Sequence, residues 1–134
     1  MGVSSLLLVS QVRIELMDAD GYEVEGEKGN FVCAFSKPEA AIQFALKLQE
    51  NLMTVNWSSD VLATKYACEQ FGMDGSRIHC GPRTAIGMST MNASRVQTCE
   101  RTGRMEYFGP VMNHSARVAT AAHGGQVSLK YMPD

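Results

Sequence analysis

Asn113 and Arg117 are the two side chains of this sequence best suited to act on a charged group. They lie in "YFGPVMNHSAR", residues 107–117, where Pro110 marks a helix start, and their separation of four residues puts both on one helix face. A guanidinium is a planar fork of donors that matches a phosphate, and a carboxamide can orient a sugar oxygen or hydroxyl. Gly109-Pro110 lets a ligand come close to the backbone. The free N–H groups and positive dipole end of a helix start favour an anion there. Taken alone, the same two residues would also suit a helix cap and a solvated arginine.

Other chemistries find less support. Ser115 has no base and orienting acid spaced to activate it. The four cysteines, Cys33, Cys68, Cys80 and Cys99, form no C-x-x-C pair, which favours idle thiols in a reducing compartment. His79 and Cys80 are adjacent, so on a strand they point to opposite faces and make a poor metal pair. A formal net charge of −2 argues against a field-driven grip on nucleic acid or an anionic membrane. The apolar run Leu6 to Val9 is too short for direct membrane insertion, and the sixth residue is Leu where a myristoylation motif wants Ser or Thr. These features point to a cytoplasmic chain, or to a cytoplasmic piece of a larger or membrane-attached protein. At 134 residues, 45% of them hydrophobic and 19% charged, one globular core is expected.

The elements that must hold Asn113 and Arg117 follow from periodicity and punctuation. Residues 1–10 are expected to be irregular, and Gln11 to Met17 helical. Tyr22 to Glu25 and Phe31 to Phe35 are expected as strands joined by the tight turn "GEKGN". Ser36, three residues before Glu39, reads as a capping box, with Pro38 in the first turn. Ala41, Phe44, Ala45, Leu48 and Leu52 then line one face of a helix. A short helix is expected from about Ser58 to Cys68, and polar loops over 69–82 and 92–103. Arg83 to Met88, Met105 to Phe108 and Gln126 to Leu129 are expected as strands, with a helix from Pro110 to Ala122 stopped by Gly124-Gly125. Such mixing of hairpins and crossover helices implies an α+β sandwich with helices on one face of the sheet.

The stretches "GYEV", "FVCAF", "PEAAIQFALKLQ", "TGRMEYFGPVMNHSARVATAAHGGQV" together resemble the class III nucleotidyl cyclases, the adenylyl and guanylyl cyclase family. The similarity runs from about Val12 to Leu129, and "YFGPVMNHSAR" and "AAHGGQV" are its most specific parts. It implies a ferredoxin-like cyclase sandwich with an antiparallel or mixed sheet, here lacking the family's first strand. Residues 11–134 would be a partial cyclase homology domain. It also implies a dimer with nucleotide sites at the interface. There the ribose 3'-oxygen of ATP or GTP attacks the α-phosphorus and pyrophosphate leaves. The family's Asn and Arg orient the ribose and stabilise charge at the α-phosphate, and by type and spacing those roles fall on Asn113 and Arg117.

The resemblance is broken elsewhere. In the family two aspartates hold a pair of divalent cations, Mg²⁺ or Mn²⁺. One lies on the first strand, which this chain would begin too late to contain. The other, in a pattern like "YEVKTxGDAFMxxF", falls on Gly29 of "YEVEGEKGNFVCAF", leaving Glu27 as the nearest carboxylate. A lone carboxylate is a poor site for paired cations. At the family's base-reading positions stand Glu25 and Glu106. Glu25 fits the guanine pattern, accepting from N1–H and the 2-amino group, whereas Glu106 is closest to the adenine-type Asp with one methylene added.

The retained and missing groups belong to opposite subunits of the family's interface. The resemblance therefore implies a homo- or heterodimer with another cyclase domain, in which a partner subunit supplies the aspartates and their cations. The alternative is a catalytically degenerate, cyclase-like dimerisation or regulatory module. Losing a central strand would also expose sheet edges, so the isolated chain is expected to be poorly soluble or to pair obligately.

Overall fold

The computed structural model describes residues 3–27, 30–90 and 95–131. Its core is built where two helices cross. Helix α1 (Val3–Asp18) contributes Val12 and Leu16, and helix α2 (Pro38–Leu52) contributes Phe44, Ala45, Leu48 and Leu52, all buried. The spacing of the α2 set is the helical period read from the sequence, which is why one stripe faces inward. Trp57 and Cys80 close the cluster. The indole Nε1–H of Trp57 donates to the Leu52 carbonyl at 2.7 Å, so the ring is buried without an orphaned donor.

One charged side chain sits in this interface. Glu15 is 4% exposed and accepts from Gln11 Nε2 at 2.9 Å and from Asn51 Nδ2, which joins α1 to α2. Glu15→Ala strands the Asn51 amide between the helices and is expected to cost about 1–3 kcal/mol, read from urea denaturation midpoints.

The strands form four two-stranded sheets among the described residues. Strands β1 (Tyr22–Glu27) and β2 (Asn30–Ala34) make an antiparallel hairpin with a register shift between Glu23 and Glu25. Its inner side packs on the helices, with the Phe35 ring 5.3 Å from that of Phe44. After the single-turn helix α3 (Ser59–Leu62) come β3 (Gln70–Phe71) and β4 (Arg77–His79), a second antiparallel pair. Strand β5 (Ile86–Thr90) pairs in parallel with the last strand, β8 (Val127–Tyr131). Between them the chain runs through the antiparallel hairpin of β6 (Arg95–Thr98) and β7 (Met105–Phe108) and then helix α4 (Pro110–Ala121). A parallel pair requires such a long crossover. No helix among the described residues is long and apolar enough to cross a membrane.

Cys33 on β2 shows what burial does to a thiol here. Burial, with the Glu23 carboxylate second, raises its pKa to about 11. A raised pKa keeps the thiolate scarce until the pH approaches that value. Cys33 is therefore expected to alkylate far more slowly at pH 8 than an ordinary accessible thiol, with rates converging as the pH rises, as mass spectrometry of timed iodoacetamide quenches would show.

Several expectations are corrected. Within the segment 1–10 expected to be irregular, the described residues 3–10 are helical: α1 begins at Val3, and Leu7 and Leu8 continue the stripe onto the core. Ser36 does not cap α2; Lys37 is its N-cap residue with no side-chain cap bond, and Pro38 begins the helix. Helix α3 stops at Leu62, short of Cys68, with Ser58 Oγ accepting from the Val61 N–H at 3.4 Å. The stretch expected as a polar loop after Cys68 contains a hairpin instead. Its turn is made by Asp74, whose carboxylate accepts from Ser76 N–H at 3.0 Å and Ser76 Oγ–H at 2.7 Å, and by Gly75 at φ +84°. Likewise β6 lies inside the expected loop 92–103, held by its ladder to β7.

Candidate active site

Helix α4 is pressed against β5 on one side and open on the other. A Cβ on Gly87 would lie 2.0 Å from the Ala119 backbone nitrogen, so only glycine permits this approach of strand to helix. Two residues on, Ser89 Oγ lies 2.6 Å from Ser115 Oγ, and Ser115 also donates to the Val111 carbonyl at 2.9 Å. Ser115 and Ala119 therefore mark the face of α4 that is fixed to the sheet. By helical periodicity the opposite stripe is Asn113, Ala116, Arg117 and Thr120, and all four are exposed. The structure thus brings Asn113 and Arg117 together on the free face of a helix whose inner face is immobilised. Among the described residues neither side chain is held by a hydrogen bond or ion pair.

The helix start has no side-chain cap, although the Met112 N–H is already taken by the Gly109 carbonyl at 3.2 Å. Gly109, with φ 126°, is the N-cap residue and offers no capping side chain; Pro110 follows at the first helical position. The preceding strand is stiffened by Arg95, opposite Phe108 in the β6–β7 ladder, with its guanidinium 4.5 Å from the ring centroid. Sequence reasoning missed this pair, because β6 had no turn signal to mark it off from the polar stretch around it.

The two base-reading candidates fall on strands that the structure places side by side. Tyr22 of β1 accepts from the Met105 N–H at 3.0 Å, and its ring is 6.3 Å from that of Tyr107. Arg104 lies over the Tyr22 ring at 5.3 Å and donates to the Glu23 carbonyl, a second tie between the hairpins. Glu25, on β1, is exposed; Glu106, on β7, is half-buried and accepts from Gln97 Nε2 at 3.2 Å. No hydrogen bond among the described residues joins Glu25 to Glu106, Asn113 or Arg117. Glu106 lies four residues before Pro110, the first residue of α4.

The metal positions read from the sequence do not assemble. Gly29 lies outside the described residues, and Glu27 is the last residue of β1, opposite Asn30. Among the described residues no group of three or more His, Cys, Asp or Glu side chains converges to hold a metal ion. Of the other two β1 carboxylates, Glu25 is exposed and Glu23 is paired with Arg13 at 3.0 Å. The residues described here therefore do not fit a paired-cation site of their own.

Known proteins share this architecture. No protein-family model matches the chain. An adenylate cyclase of Mycosarcoma maydis is 32% identical over 119 residues, which is 87% of this chain and 5% of that protein. A protein of Acanthamoeba polyphaga mimivirus named a serine/threonine-protein kinase/receptor is 30% identical over 132 residues, covering 94% of this chain and 8% of its own length. The chain thus spans a small fraction of the relatives it matches. A solved adenylate cyclase of Trypanosoma brucei, described in its monomeric state, superposes with a TM-score of 0.82 at 23% identity, over 94% of this chain and 62% of that one. Sequence similarity to adenylate cyclases along most of this chain and the fold shared with a cyclase domain agree, and both are consistent with a class III nucleotidyl cyclase domain.

Proposed function

We propose that this chain supplies the ribose- and phosphate-orienting half of a nucleotidyl cyclase site, completed at the interface with a second cyclase domain. The observation that carries it is the pairing of Asn113 and Arg117 on the free stripe of α4, at an uncapped helix start, with the opposite face locked to β5. A site shared between two domains needs such groups exposed in each chain alone. In the reaction, the Arg117 guanidinium donates to an oxygen of the α-phosphate, where charge grows as the ribose 3'-oxygen attacks and pyrophosphate departs. Asn113 holds the ribose so that the 3'-oxygen is in line. Glu106 or Glu25 accepts from the exocyclic amine of the base.

Divalent cations, Mg²⁺ or Mn²⁺, are assigned to the partner subunit, since no ligand cluster occurs among the residues described here. The name of the Mycosarcoma maydis relative favours ATP, and Glu106 as a lengthened acidic acceptor suits adenine; Glu25 suits guanine. A cytoplasmic setting, where nucleoside triphosphates are made and held, accords with this chemistry. A second reading, a degenerate module that pairs with and regulates an intact cyclase, is favoured by the same absence of a ligand cluster. The two separate in one assay. The chain alone and the chain mixed with an aspartate-bearing cyclase domain are given Mn²⁺ with ATP or GTP separately. The proposal expects no product from the chain alone and cyclic nucleotide from the mixture, above what the partner makes by itself. Association that adds no product favours the regulatory module.

A further inference from the structure

We infer a second, small oxyanion site on this chain, in the pocket between the end of α2 and the turn that leads into β8. The pocket is open, about 130 Å³, and its walls include Gln49, Glu50, His79, Arg83 and Gly125. None of these is a residue of the cyclase half-site, so the inference stands apart from the proposed function.

Arg83 carries the inference. Its Nη2 donates to the Cys68 carbonyl at 2.7 Å, which fixes the guanidinium plane. Its Nη1 is buried and has no hydrogen-bond partner, and no carboxylate among the described residues pairs with it. Arg83 as a whole is half-buried, but a buried guanidinium nitrogen left without a partner is costly, and an anion beside it would relieve that cost. The neighbouring Thr84 Oγ1 is also buried and unpartnered. Gln49 is held in place by donating to the Thr84 carbonyl at 2.8 Å, and its amide keeps a second N–H to offer. The His79 ring lies against Gly125, where a Cβ would come within 2.7 Å of its Cε1, so glycine makes the space for the imidazole. Leu52, Met53, Ile78 and Pro82 complete the wall, so the pocket suits a small species with one oxyanion head, a carboxylate or phosphate type, held by arginine, glutamine and histidine. The Glu50 carboxylate on the same wall opposes binding and disfavours multiply charged species.

The test is a titration of the ¹⁵N-labelled chain followed by NMR, with acetate and inorganic phosphate as separate arms and chloride at matched ionic strength as control. Saturable shifts of the Arg83 Nε–H and of the Gly125 and His79 amides are expected from at least one oxyanion, and which arm saturates names the class. Arg83→Gln is expected to abolish the saturable response. Glu50→Gln, at an exposed position that leaves the core untouched, is expected to tighten binding several-fold, and it decides the matter if Arg83→Gln does not fold. Absence of saturation in both arms, or a dissociation constant unmoved by Glu50→Gln, would overturn the inference.

Discussion

Arg117→Ala is expected to lower cyclic-nucleotide formation by the paired domains by about a hundredfold to a thousandfold, the loss seen when one preorganised donor to a developing oxyanion is removed. The effect should fall on kcat, with KM for the triphosphate little changed, because charge on the α-phosphate oxygens grows only as the 3'-oxygen attacks. Arg117→Lys should recover only part of the activity: an ammonium keeps the charge but lacks the planar fork that grips two oxygens. Asn113→Ala should act through alignment of the ribose and also reduce kcat. Neither change should unfold the chain. Both side chains are exposed, and no hydrogen bond among the described residues depends on them. Equal thermal melting of wild type and Arg117→Ala, measured beside the rates, separates loss of chemistry from loss of structure. Unchanged kcat in Arg117→Ala would remove this arginine from the reaction.

The second large effect concerns the platform. Gly87→Ala places a methyl group where the backbone of Ala119 already stands, 2.0 Å from its nitrogen. A backbone cannot rotate aside as a long side chain can, so β5 and α4 must separate by more than an ångström. That would loosen the Ser89–Ser115 contact and the parallel ladder of β5 with β8. The expected cost is about 3 kcal/mol, the upper end of ordinary overpacking, read as a shift in the urea midpoint. Because α4 carries Asn113 and Arg117, activity of the paired domains should fall with it even under conditions where the variant is still folded. Ala116→Ser, on the exposed stripe of the same helix, is the control and should change stability by less than about 0.5 kcal/mol. A Gly87→Ala chain as stable as wild type would show that the helix is not seated against the strand as described.

Much of this arrangement could be read before any coordinates. The stripe Phe44, Ala45, Leu48 and Leu52 is buried as its period required, and β1 and β2 pair as the expected antiparallel hairpin, although the ladder runs on through Gly26, Glu27 and Asn30, which were expected in the turn. Pro110 and the Asn113–Arg117 spacing announced α4 and its two exposed groups together. The β3–β4 hairpin was hidden because its strands are only two and three residues long, too short for alternation to register. Its one signal was Asp74-Gly75, a dipeptide common in tight hairpin turns, set between Phe71 and Ile78. Strand β6 was hidden for another reason. All four of its residues are exposed, and it is held by backbone pairing and by Arg95 on Phe108, neither of which leaves an apolar pattern. Helix α1 was read too short because its early turns carry leucines on more than one side, which blurs the helical period. The contact of Gly87 with Ala119 joins residues far apart in the chain, and no local pattern could have shown it. The pocket at Arg83 likewise draws on α2, β4 and the turn before β8, so only tertiary structure assembles it.

The most direct test uses a partner cyclase domain stripped of its own Asn and Arg but retaining its metal-binding aspartates. In a mixture of that partner with this chain, the one competent site pairs the partner's aspartates with Asn113 and Arg117. With Mn²⁺ and ATP or GTP, cyclic nucleotide should appear with the wild-type chain and drop to background with Arg117→Ala. A mixture that associates yet yields no product, or yields as much with Arg117→Ala, would contradict the claim that this helix face completes a cyclase site.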